Sequence, residues 1–124
     1  MPTATKQQPA TWTAARKSGT ALFRWRRSQG LSRPTFARLA KVSERTLATY
    51  EKAKSLPAAI RPQVNEAGRL VMALQEIIPA GELTTWLQTP NPGFGGRRPW
   101  TLIKDGERDI IWSMIYQTRL GAFA

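Results

Sequence analysis

Apolar positions recur at three- and four-residue spacing through most of this chain, and no stretch sustains alternation at period two. That pattern predicts an all-α protein. The clearest case is LSRPTFARLAKVSERTLATYEK, Leu31 to Lys52. Phe36, Ala37 and Ala40 share one helical face there, Leu47 and Tyr50 share another, and Val42 plugs the turn between them. Ser32 and Ser43 are each placed to cap the helix that follows. Pro34 fits because it falls in a first turn, where its missing N–H removes no helical bond. The stretch reads as two short helices joined by a tight turn.

On either side the periodicity predicts further helices. Gly19 to Gln29 places Leu22 and Trp25 inward and Arg24 and Arg27 outward, and Gly30 ends it. Leu56 to Pro62 is a hinge, because two prolines there restrict the residues before them. Val64 to Ile78 carries one apolar face over four turns, and Pro79 closes it. Glu82 to Thr89, Pro99 to Lys104 and Glu107 to Leu120 follow, with Trp86, Trp100 and Trp112 expected in the core. Gly93 to Arg98 must be a turn, and Gly121 stops the last helix. Met1 to Ser18 is polar and unpatterned, so it reads as a flexible tail. Trp12 stands out in it, either as an anchor for a partner or nucleic acid, or as a side chain folding onto the nearest apolar surface. The organisation expected is a tail over 1–18, a first domain over 19–60 and a second over 61–124.

Composition narrows the chemistry. The chain has 124 residues, 41% of them hydrophobic, enough for one compact domain or two small ones. No apolar run is long enough to span a membrane, and the N-terminus lacks the apolar core of a secretory signal, so a cytoplasmic protein is expected. Cysteine and histidine are both absent, which removes disulfides, thiolate and imidazole metal ligands and the commonest general base. The carboxylates lie scattered, and Asp105, Glu107 and Asp109 read as acidic groups at a helix N-terminus. We therefore expect no enzyme, no cofactor and no metal.

Charge is unevenly placed. Residues 1–60 hold twelve Lys and Arg against two Glu, whereas residues 61–124 hold seven against six Asp and Glu. Almost all of the net charge of +11 thus belongs to the half with the two-helix motif. A polyanion-binding module joined to a differently occupied one has this signature.

The motif itself resembles the Xre/Cro/phage-repressor family of helix-turn-helix domains, through Leu31-Ser32, Ala37, Val42-Ser43, Thr46-Leu47 and Glu51. The resemblance implies a second helix lying in the major groove of double-stranded DNA. Carried over by position, Ser43, Glu44, Arg45, Thr46 and Thr49 would face the DNA, and Arg33, Lys52 and Lys54 would hold phosphates. Arg45 is the expected reader of guanine. Arg26 would pair with Glu51 as a structural brace. The chain departs from the family where Lys52-Ala53 replaces the usual Asn-Gly, which leaves the helix stop without its left-handed residue.

Further on, Trp86-Leu87, Pro90-Asn91-Pro92, Gly95-Gly96-Arg97, Pro99, Leu102, Gly106 and Gly121 resemble the C-terminal toxin-binding domain of the Xre/MbcA/ParS antitoxins. The glycine turn alone matches no phosphate-binding pattern. The resemblance implies a type II antitoxin that inhibits a cognate toxin, typically of the RES class, which consumes NAD or modifies proteins with ADP-ribose. It would also autoregulate its operon, binding DNA as a homodimer. Arg97, Arg119, Leu120, Gly121 and Phe123 are the expected toxin contacts. The alternative is a stand-alone Xre-family repressor whose second domain only dimerises.

Overall fold

The structure, a computed structural model, describes residues 12–79 and 81–121. Its regular elements are helical: among the described residues there are eight α-helices, two 3₁₀ turns and no strand. The helices are α1 Trp12–Ala15, α2 Gly19–Ser28, α3 Arg33–Ala40, α4 Glu44–Tyr50, α5 Arg61–Gln75, α6 Leu83–Gln88, α7 Pro99–Lys104 and α8 Arg108–Arg119. The chain divides into two compact units, residues 1–68 and 69–124, with the boundary inside α5.

In the first unit α3 and α4 are joined by Lys41 to Ser43. Ser32 Oγ accepts from the Thr35 N–H and Ser43 Oγ from the Thr46 N–H, so each helix start has one of its free donors satisfied by a cap. α3 ends with Lys41 in the left-handed region at φ 58°, and the Val42 N–H closes back on the Ala37 carbonyl at 2.9 Å. That turn lets α4 leave α3 within three residues, in a conformation that glycine would adopt at lower cost. Phe36, Ala37, Leu39, Ala40 and Leu47 are buried, as are Leu22 and Trp25 of α2. Val42 and Tyr50 remain half-exposed, because each covers the edge of this cluster rather than entering it.

Part of the stretch expected to be tail is folded. Trp12 and Ala15 of α1 are buried, and the Trp12 indole lies 4.7 Å from Trp25, centroid to centroid, at 58°. Trp25 in turn meets Phe36 edge-on at 5.7 Å. Gly68 lies against the Trp12 ring so closely that a Cβ there would collide with it. Trp12 therefore folds onto the nearest apolar surface, as the second of its two readings had it. Residues 1–11 lie outside the described residues.

In the second unit Leu74, Leu83, Leu87, Leu102, Ile103, Ile111 and Ile115 are buried. Between α6 and α7 the Pro92–Phe94 3₁₀ turn forms the glycine loop. Asn91 closes it: its carbonyl accepts from the Phe94 and Gly96 N–H groups, its N–H donates to the Arg97 carbonyl at 3.0 Å, and its Oδ1 accepts from Gly93 N–H at 2.8 Å. Gly95 and Gly96 both have positive φ, which places two consecutive residues where side chains are strained. Phe94 is buried, 6.2 Å from the Trp86 ring in an edge-on arrangement. Trp100 is buried, but Trp86 and Trp112 are half-exposed, so two of the three tryptophans expected in the core stand at its border. Both sit on amphipathic helices whose buried face the smaller aliphatic residues already fill.

Candidate functional site

The most tightly built group of charges is in the first unit. Arg26 of α2 is 5% exposed and Glu51, at the C-cap of α4, is 6% exposed. Arg26 donates through Nε to Glu51 Oε2 at 2.6 Å, through Nη2 to Oε1 at 3.2 Å, and through Nη1 to the Leu31 carbonyl at 2.8 Å. The guanidinium has a partner at each of its nitrogens, which is what makes a buried cation tolerable. Arg33, the first residue of α3, adds a third bond, donating through Nε to Glu51 Oε1 at 3.0 Å. One carboxylate thus ties together α2, the start of α3 and the end of α4. Nothing in the residue spacing pointed to Arg33 as its partner, because the separation is 18 residues. The Arg33 side chain stays 39% exposed, with its terminal nitrogens left over for an anion.

The missing glycine after Glu51 is compensated from elsewhere. The helix tightens at its end, with the Lys52 N–H on the Thr49 carbonyl and the Ala53 N–H on that of Tyr50. The Ala53 carbonyl then accepts from the Gly19 N–H at 2.9 Å. Gly19 is the residue that allows this approach, since a Cβ on it would run into the Tyr50 carbonyl oxygen. The backbone of α2's first residue therefore takes part in ending α4.

The remaining residues expected at DNA lie on or beside α4. Glu44, Arg45 and Thr49 are exposed and Thr46 is half-exposed. Ser43 donates its hydroxyl hydrogen to Thr46 Oγ1 at 2.8 Å while capping the Thr46 N–H, so its polar capacity is engaged inside the cap. Thr49 Oγ1 donates to the Arg45 carbonyl at 3.1 Å. Arg45, Lys52 and Lys54 are exposed and make no side-chain hydrogen bond or ion pair among the described residues.

The residues expected at the toxin fall in the second unit and are occupied differently. Arg97 donates to Glu107 at 3.1 Å and to the Phe94 carbonyl at 3.2 Å. Arg119 forms a two-pronged pair with Glu76, both bonds 3.1 Å. Leu120 is 76% exposed and Gly121 is exposed, whereas Phe123 lies outside the described residues. Two open clefts, of about 380 and 400 Å³, share Asn91 and Met114. Ile77, Ile78 and Trp86 line the first, and Phe94 and Ile110 the second. Trp86 was read only as a core residue at helical spacing, and Phe94 lies in the glycine turn, so spacing did not show that either lines a cleft. Among the described residues no group of His, Cys, Asp and Glu could hold a metal, and no helix is long and apolar enough to cross a membrane.

Comparison with known proteins bears on the second unit most directly. Residues 73–111 match the family model of the antitoxin Xre/MbcA/ParS C-terminal toxin-binding domain. That span includes Arg97, Trp86 and all of the first cleft's lining except Met114. It excludes Trp112, Arg119, Leu120 and Gly121. The chain is also 25% identical, over 95 residues, to the mycobacterial cidal antitoxin MbcA of Mycobacterium bovis, which covers 76% of this chain and 84% of that protein. The MbcA proteins of Mycobacterium tuberculosis strains CDC 1551 and H37Rv match to the same extent. No solved structure matches the chain. The resemblance to the Xre/MbcA/ParS-type antitoxins holds.

Proposed function

We propose that this chain, an Xre/MbcA/ParS-type antitoxin by these matches, inhibits a cognate RES-type toxin through its second unit and represses its own operon through the first. The observation that carries the reading is the coupling, in one chain, of a toxin-binding-domain match over residues 73–111 to a helix-turn-helix unit with exposed, unengaged cations. The antitoxin part rests on the family match. The RES class of the toxin rests on the resemblance alone, and DNA binding on Arg45, Lys52 and Lys54 beside a capped recognition helix. In this reading α4 enters the major groove, Arg33 holds a phosphate with the nitrogens that Glu51 leaves over, and a homodimer reads two half-sites. The toxin covers the end of α8 and the clefts beside Met114. Clefts that set Ile77, Trp86, Phe94 and Ile110 among polar residues such as Glu82, Asn91 and Gln117 suit a protein partner with an apolar contact centre and a polar rim.

The test is copurification of the tagged chain with the product of the neighbouring gene, with and without promoter duplex. A partner retained through high salt, whose growth arrest this chain relieves, supports the antitoxin reading. A lone homodimer on promoter DNA, with no toxic neighbour, supports the plain repressor instead. Removing Phe123 and Ala124 is expected to weaken neutralisation while leaving DNA binding intact; unchanged neutralisation moves the toxin contact away from the chain end.

A further inference from the structure

The two threonines expected on the DNA face differ in what they offer a base. Thr49 turns its hydroxyl hydrogen back onto the Arg45 carbonyl at 3.1 Å, four residues earlier, and its side chain is exposed. With the oxygen directed at the helix backbone, the γ-methyl is the group left standing toward solvent. Thr46 sits in the capping arrangement: its Oγ1 accepts from Ser43, and it is half-exposed. The hydroxyls of Ser43 and Thr49 are thus both engaged within the helix, and neither is free to donate to a base acceptor. What α4 presents beyond them is the Glu44 carboxylate, the Arg45 guanidinium, the hydroxyl hydrogen of half-exposed Thr46 and the Thr49 methyl.

Arg45 and Thr49 are four residues apart on one helix and so lie side by side, about 5–6 Å between their Cβ atoms. In the major groove a guanidinium pairs with guanine O6 and N7, and a methyl group packs on the C5-methyl of thymine. Neighbouring side chains meet base pairs one or two steps apart.

We propose that α4 reads a guanine through Arg45 and, one or two base pairs away, the methyl group of a thymine through Thr49, with Thr49 acting as an apolar contact and not as a hydrogen-bond donor. The inference rests on the DNA-binding reading above and adds to it the chemistry of the half-site.

The experiment uses the full chain in selection from a random duplex library, followed by binding to the recovered duplex with uracil in place of the thymine. That exchange removes only the base's methyl. The recovered half-site is expected to contain the guanine and the thymine. Uracil should weaken binding by the wild-type chain about fourfold, which corresponds to one buried methyl. Thr49→Ser keeps the hydroxyl and loses the side-chain methyl, so with this variant uracil and thymine should bind alike. Arg45→Ala should lose the preference for guanine while Thr49 still distinguishes thymine from uracil. A specific half-site that tolerates uracil, or Thr49→Ser discriminating as well as wild type, overturns the inference and leaves the DNA-binding reading standing. Absence of any sequence preference in the library overturns both.

Discussion

Arginine serves opposite ends in the two units. In residues 69–124, Arg97, Arg98 and Arg119 each engage an acceptor of their own unit: Glu107, Gln88 and Glu76, all at 3.1 Å and all near the surface. In residues 1–68, two guanidiniums converge on the single buried carboxylate of Glu51, while Arg45, Lys52 and Lys54 have no such engagement among the described residues. The first arrangement neutralises cations locally and leaves apolar clefts as the surface most open to a partner. The second holds two cations at one buried carboxylate and leaves Arg45, Lys52 and Lys54 exposed without such a partner among the described residues. The lesson is that ion-pair geometry, and not arginine content, separates a surface suited to a polyanion from one suited to a protein. Exposed cations with no partner are the ones that can displace the counterions condensed on a phosphate backbone.

The contrast can be broken most severely at Glu51. Glu51→Ala leaves Arg26 buried without its counter-charge, and a loss of about 3–5 kcal/mol is expected in denaturant unfolding. The matching change in the second unit, Glu76→Ala, breaks a pair whose side chains are 42% and 56% exposed, and should cost less than about 1 kcal/mol. Equal losses would show that burial does not separate the two kinds of pair.

Next in size is Gly19→Ala, which drives a methyl group into the Tyr50 carbonyl and should cost about 1–3 kcal/mol, as overpacking does in a tight interior. Because the collision is at the end of α4, duplex affinity should fall along with stability. A stable Gly19→Ala protein with unchanged DNA binding would show that α2 does not hold the recognition helix.

For the second unit, Met114→Glu places a charge between the two clefts and should lower toxin affinity about tenfold or more, since an unpaired carboxylate is costly in a desolvated contact. Binding to duplex DNA should not change. Equal toxin retention by wild type and variant in a pull-down would remove the clefts from the interface. The smallest effect is expected at Lys41, whose φ of 58° a glycine adopts freely: Lys41→Gly should stabilise by about 0.5–1 kcal/mol, seen as a raised thermal midpoint.

Much of this molecule could be read from local spacing. The apolar faces of α2, α3 and α5 follow from residues three and four apart, and the Ser32 and Ser43 caps from a serine placed just before each helix. The short α7 runs from Pro99 to Lys104, the same bounds that Pro99 and the following apolar residues suggest. The candidate site was legible to the extent that it lies on α4, where a few consecutive residues carry the exposed polar groups. It was illegible where partners are distant in the chain, as with Arg33 on Glu51 or Asn91 and Met114 in two clefts. Trp12 shows the same limit, because its surroundings of polar residues gave no periodicity from which its packing on Trp25 and Gly68 could follow.

By itself, then, the sequence determined the helical class, the helix-turn-helix, the caps and the separation of charge between the halves. All of these depend on interactions within about one or two helical turns, or on simple counts. Only the tertiary structure decided which cations are neutralised, how α4 ends without a glycine after Glu51, and which apolar side chains remain at the surface. Those outcomes depend on which distant atoms come within bonding distance, as when the Gly19 N–H meets the Ala53 carbonyl at 2.9 Å. A residue's spacing along the chain states its neighbours on a helix, but folding alone selects the group that answers its charge.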